Sequence, residues 1–113
     1  MPKKAAGGFK LSGEAMHLVA GRFKALSEPT RLNILSFILN GEKTVNELVA
    51  ATKLGQPNVS KHLSLLSEAG VGSKRREGLH IYYRVADDSV AALIEFAYDA
   101  LAKQFAEKSR LFK

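Results

Sequence analysis

Residues 44–70, TVNELVAATKLGQPNVSKHLSLLSEAG, decide the fold. Thr44-Val45-Asn46-Glu47 sets a hydroxyl that can cap a helix three residues ahead of a glutamate, the capping-box spacing. A short helix is expected over residues 45–51, with Val45, Leu48 and Val49 turned inward. Thr52-Lys53-Leu54-Gly55 makes a tight connection. Pro57 suits the first turn of the next helix, where its missing N–H costs nothing. Gly70 is placed to end that helix, just past its C-terminus. Two short helices joined by a glycine-containing turn form a helix-turn-helix. On the second of them, Val59, Leu63, Leu66 and Ala69 form the inward stripe. Gln56, Asn58, Ser60, Lys61 and Ser64 lie off it, toward the N-terminal end. These short polar groups and one cation can reach base edges or phosphates. Glu68 is the helix's only acid and sits at the far end. The competing use of this surface is an ordinary solvated face.

The flanking sequence extends the pattern on both sides. Upstream, a helix starts from Ser12, with Glu14 near its positive end. Met16, Val19, Phe23 and Leu26, joined by Leu18, follow helical spacing. Ser27-Glu28-Pro29 breaks the chain before a second helix running to about Leu39. That helix is apolar nearly all round and so expected to be central. Asn40-Gly41 stops it. Downstream of Gly70 the period shifts from 3.6 to 2, which predicts a hairpin turning near residues 77–79. Ile81, Tyr83 and Val85 share one face, and His80, Tyr82 and Arg84 the other. Lys74, Arg75 and Arg76 precede the turn. Such a cationic tip can follow a DNA backbone or enter the minor groove; it can also be a charged edge that discourages sheet aggregation. Gly72 stands where an apolar strand residue is expected, and should loosen the start of the hairpin. Asp87 or Asp88 caps a last helix, with Val90, Leu93, Ile94, Ala97, Tyr98, Leu101 and Phe105 at helical spacing. Leu111 and Phe112 carry that apolar character into the tail.

A helix-turn-helix followed directly by a basic hairpin is the winged form of the motif. The fold class expected is mainly α (α+β): a winged helix-turn-helix with a two-stranded β-wing. It occupies one domain over residues 12–106, after a flexible basic arm at 1–11 and before a tail at 107–113. The last helix is terminal and apolar on one side, so a second copy of the chain is expected to cover Leu93, Ala97, Tyr98 and Leu101.

Of 113 residues, 17 are Lys or Arg and 11 Asp or Glu, a net charge of +6. That excess favours an anionic partner, nucleic acid before membrane, although solubility alone is an alternative use. The absence of cysteine removes disulfides, thiolate metal sites and cysteine nucleophiles together. MPKKAAGGFK has no apolar stretch behind its charges and does not read as a signal peptide. No apolar run approaches the roughly 20 residues that span a bilayer. A cytoplasmic, nucleoid-associated protein is expected. An enzyme is not: there is no phosphate-cradling glycine loop or nucleophile elbow. Ser60 and His62, two residues apart on a helix, do not face each other as a nucleophile and base. The three histidines, His17, His62 and His80, lack ligand spacing, so neither metal nor cofactor is expected. His17 borders the apolar stripe of its helix and is expected to be partly buried or at a subunit interface. His80 is expected on the wing surface. His62, at the border of the inward stripe, is expected to hydrogen-bond a phosphate or base edge while packing partly on the helix-turn-helix core.

Phe23-Lys-Ala-Leu-Ser-Glu-Pro-Thr-Arg-Leu-Asn-Ile-Leu35 resembles the opening signature of the ArsR/SmtB family of bacterial winged-helix repressors. Pro57-Asn-Val-Ser-Lys-His-Leu63 and Leu66-Ser-Glu-Ala-Gly70 resemble its recognition helix. Arg75-Arg-Glu-Gly78 with Tyr82-Tyr-Arg84 resembles its wing. The similarity covers roughly residues 14–105. It implies a homodimer built on the first and last helices, around Met16, Val19, Phe23, Leu93, Ala97, Tyr98, Leu101 and Phe105. Such a dimer binds double-stranded operator DNA and releases it on sensing an inducer. By the same resemblance Gln56, Asn58, Ser60, Lys61, His62 and Ser64 face DNA, and Lys74, Arg75 and Arg76 act from the wing. The chain departs from the family where the family senses. Residues 44–48 offer no soft metal ligand, the second helix has Ser36 in the region of a sensing cysteine, and the last helix has Asp87, Asp88, Glu95 and Asp99 but no histidine. An inducer, if there is one, is therefore not a thiol reagent, and the aromatic region near Phe23, Phe37, Tyr98 and Phe105 is where a ligand would be sought, with core packing the simpler use. The alternative function is a dimeric interaction module that keeps the scaffold, binds a small molecule or a protein, and has little specific affinity for DNA.

Overall fold

The computed structural model describes residues 10–106 and residue 111. Along the chain run α1 (Gly13–Leu26), α2 (Pro29–Ile38), β1 (Lys43–Thr44), α3 (Val45–Thr52), α4 (Gln56–Glu68), β2 (Gly72–Glu77), β3 (His80–Val85) and α5 (Asp88–Gln104). The expected arm at 1–11 is described only at Lys10 and Leu11. The tail at 107–113 is described only at Leu111, so Phe112 lies outside the described residues.

The helix boundaries follow from local chemistry. The Ser12 hydroxyl accepts from the Ala15 N–H at 3.1 Å and opens α1. Glu28 caps α2 by accepting from the Arg31 N–H at 2.9 Å, with Pro29 in the first turn. Both halves of the capping box form at α3: the Glu47 N–H donates to Thr44 Oγ1 at 3.1 Å, and the Thr44 N–H to Glu47 Oε1 at 2.8 Å. At the end of α4, Gly70 turns left-handed with φ +73. The Gly70 N–H then reaches the Ser67 carbonyl and the Val71 N–H the Leu66 carbonyl, which satisfies two carbonyls that the helix leaves open. In the turn between α3 and α4 the left-handed residue is Lys53, with φ 62. A side chain in that conformation costs roughly 1–2 kcal/mol.

The core sits where α2, α3, α4 and the sheet meet. Ile34, Leu35, Ile38, Leu48, Val59, Leu63, Leu66 and Val71 are all buried there, each contributing about 1.5–3 kcal/mol for a large aliphatic side chain. By contrast α1 contributes one buried residue, Ala25, and α5 one, Val90.

The wing differs from expectation in one respect. Its two strands pair as foreseen, Glu77 opposite His80 across a two-residue turn, with Gly78 at φ +63 in the position where such a turn uses glycine. A third strand joins them. The two residues of β1 pair with β3, Lys43 opposite Tyr83 and Thr44 opposite Tyr82, giving the order β1-β3-β2. Two residues are too short to carry a period, and Thr44 serves as strand end and helix cap at once. Gly72 is paired with Val85, and a Cβ there would sit 3.4 Å from Leu66 Cβ. The hairpin thus starts where its backbone packs over the end of α4.

Candidate nucleic-acid interface

The helix-turn-helix presents α4 with its apolar stripe in and its polar face out. Val59, Leu63 and Leu66 are buried, while Gln56, Asn58, Lys61 and Ser64 are exposed and Ser60 is half-buried. Four side chains able to donate or accept hydrogen bonds therefore stand on open surface, with no acid before Glu68. Glu68 itself lies across a groove from Lys24 and Arg31, away from this face.

His62 corrects the sequence reading. It is 8% exposed, and its Nδ1 lies 3.4 Å from Nη1 of Arg31. A guanidinium can only donate, so His62 Nδ1 is the acceptor of this contact. Little of the ring is left to meet a phosphate or a base edge. The packing foreseen for His62 is more complete than partial, because Arg31 reaches over from α2 and closes it in.

Arg75 is also placed differently from a free wing cation. Its Nε and Nη2 donate to the two carboxylate oxygens of Glu42, each at 2.7 Å, and its Nη1 to Glu77 at 2.5 Å. The guanidinium lies over the Tyr82 ring, 4.8 Å from its centroid, a favourable arrangement for a cation. The Arg75 hydrogen bonds hold the Glu42 carboxyl below its usual range, and Arg75 itself is pushed up by Glu42 and then Glu77. Two carboxylates thus pair with Arg75, and one of them, Glu42, ties the wing to the segment before β1. Lys74, Arg76 and Arg84 are exposed on the hairpin, as Arg75 is, but make no ion pair among the described residues. Nothing in the sequence periodicity signals the link from Glu42 to Arg75, since it crosses 33 residues between irregular chain and strand. His80 is on the wing surface, its ring centroid 6.2 Å from that of Tyr82.

The first and last helices, α1 and α5, carry exposed apolar side chains. Met16, Leu18, Val19 and Phe23 of α1 and Phe96, Tyr98 and Leu101 of α5 are exposed, as is Phe105 at the end of α5. An open groove of about 420 Å³ lies between them, lined among others by Phe23, Leu32, Leu93, Ala97, Tyr98 and Leu101. Phe23 and Tyr98 of the expected aromatic cleft line it, whereas Phe37 packs partly buried on the core. His17 is exposed in the single chain rather than partly buried. Among the described residues no group of three or more His, Cys, Asp or Glu side chains is placed to hold a metal ion. No helix there is long and apolar enough to cross a membrane.

This architecture defines a winged helix-turn-helix domain. The chain belongs to the arsR family of bacterial regulatory proteins, whose description matches residues 28–71. It is 48% identical over 75 residues to the probable mercury resistance operon repressor of Streptomyces lividans, a match covering 66% of this chain and 60% of that protein. Over 80 residues it is 42% identical to the biofilm growth-associated repressor of Agrobacterium fabrum, covering 71% of this chain and 68% of that one. Among solved structures it is similar to the homodimeric winged helix-turn-helix DNA-binding domain of a possible ArsR-family regulator from Mycobacterium bovis. There the TM-score is 0.77 at 32% identity, covering 91% of this chain and 94% of the other. Rv0081 of Mycobacterium tuberculosis gives a TM-score of 0.77 at 31% identity, covering 87% and 99%.

Proposed function

We infer that the chain is a homodimeric, sequence-specific DNA-binding transcriptional repressor acting in the cytoplasm on an inverted-repeat operator. The observation that carries this reading is the exposed, acid-free face of α4, bearing Gln56, Asn58, Lys61 and Ser64, beside a wing with Lys74 and Arg76 on its surface. Short polar side chains near the N-terminal end of such a helix suit base edges in the major groove, and wing cations suit the adjoining backbone. Ser60 lies half-buried on the same helix, close enough to its outward face to join a phosphate contact. The relatives' names as operon and growth-associated repressors support the regulatory role. The dimer is built on α1 and α5, whose apolar side chains need a cover, and a two-fold pair of α4 helices matches two half-sites. No catalytic role follows for Ser60 and His62, because His62 is closed in by Arg31.

The reading is tested by fluorescence anisotropy against the DNA upstream of the chain's own gene and against random duplex. Tighter binding to a palindromic segment, and its collapse in Lys61→Glu with dimerisation intact, is expected. Equal affinity for palindromic and random duplex would sink specific repression and favour a scaffold that docks a protein or small molecule. The inducer is proposed to be neither a thiol reagent nor a soft metal, since the positions where the family senses hold no cysteine.

A further inference from the structure

Between α1 and α4 lies an open groove of about 430 Å³, lined by Gly21, Lys24 and Ala25 on one side and Leu65, Glu68 and Ala69 on the other, with Arg31 in it. Arg31 is anchored to the end of α1. Its Nε donates to the Ala25 carbonyl at 2.7 Å and its Nη2 to the Lys24 carbonyl at 3.2 Å. Both carbonyls belong to the last turn of α1, where a helix leaves acceptors open and a cation is favoured. The remaining nitrogen, Nη1, faces His62 Nδ1 on α4. One side chain from α2 thus holds the end of α1 and the middle of α4 in a single planar fork. A second arginine ties α1 to the chain just past α4: Arg22 donates to the Gly70 carbonyl at 3.2 Å and to the Ser89 hydroxyl of α5 at 3.4 Å.

We propose that Arg31 and His62 are positioning residues for operator recognition, fixing α4 relative to α1 and so setting the half-site spacing that the dimer accepts. This rests on the reading of α4 as the DNA-contacting helix and of α1 as part of the dimer interface. Two reading helices must meet the major groove about 34 Å apart, one turn of the duplex. Their separation is the sum of the interface and the α1–α4 offset in each subunit. Both α1 and α4 pack on α2, and where a groove separates them the groups that bridge it add to the stiffness of that packing. The planar guanidinium is suited to this, because its donors are fixed relative to one another. A lysine in its place has donors at a single point and cannot serve both carbonyls and the ring.

The test uses an inverted repeat selected by the wild-type protein from random duplexes. Affinity is measured for that site, for the same site with its spacer lengthened or shortened by one base pair, and for random duplex. Melting temperature and sedimentation report folding and dimer mass. His62→Leu fills the space without an acceptor, and His62→Gln restores one. His62→Leu is expected to lose about tenfold of the preference for the correct spacer while random-duplex affinity stays unchanged, and His62→Gln is expected to recover most of it. If His62→Leu does not fold, Arg31→Lys carries the same expectation. Spacer preference retained in the folded variant overturns the proposal, and so does a proportional loss on all three duplexes. A wild-type protein that selects no site at all would instead overturn the DNA reading itself.

Discussion

At the scale of single residues, charge counted from the sequence and charge offered to a ligand are different quantities. Arg75 and Arg76 are neighbours of identical type and both exposed, yet Glu42 and Glu77 hold the first while the second has no ion-pair partner among the described residues. Each cation that meets a phosphate releases counterions and steepens the salt dependence of binding. Arg76→Ala is therefore expected to lower the slope of log affinity against log salt by about 1. Arg75→Ala should change it much less and act on the order of the wing. Equal changes in slope, read from anisotropy titrations at several salt concentrations, would mean that Arg75 leaves its carboxylates on DNA. The type and position of both arginines are plain in the sequence. Which one is paired depends on Glu42, brought to the wing only by the folded chain.

At the scale of elements, caps and turns were legible because their chemistry is local. Ser12, Pro29, Thr44 with Glu47, and Gly70 each act within four residues of where they stand. Asp87 is of the same kind. Its carboxyl is held below its ordinary value of 3.8, first by the Ser89 hydroxyl and then by the Ser89 N–H. A carboxyl depressed in the folded state binds its proton more readily in the unfolded chain. The stability it supplies is complete above the ordinary value of 3.8 and is lost as the pH falls toward the depressed one. Asp87→Asn keeps a capping acceptor but cannot titrate. The gap in melting temperature between wild type and this variant should therefore close on acidification through that range; a gap that stays constant would show that the cap does not depend on charge. β1 was not legible, because two residues give no alternation to read. The full burial of His62 is hidden for a related reason: a helical wheel puts it at the border of the stripe, and the arginine that closes it in comes from another helix.

At the scale of the whole molecule, the winged order of helices and hairpin could be read from periodicity, since its change from 3.6 to 2 falls at a single point after Gly70. The apolar side of the last helix was legible too; periodicity did not show how far α1 stands out, with Met16, Leu18 and Phe23 exposed. The radius of gyration is 16.0 Å, against about 13 Å for a compact chain of this length. The exposed faces of α1 and α5 account for much of the uncovered surface, and a charge placed there should separate the proposed dimer without unfolding the core. Phe23→Asp is expected to give a monomer by sedimentation, a nearly unchanged core by circular dichroism, and loss of preference for an inverted repeat. A dimer that survives this change would place the interface elsewhere. The division of labour between a self-sufficient centre and two uncovered outer helices also bears on dosage. Where pairing depends on mass action, the amount of paired protein at low abundance rises with the square of the chain concentration. A regulator built this way would respond to its own abundance as a threshold, with small changes in synthesis or turnover deciding whether an operator is occupied.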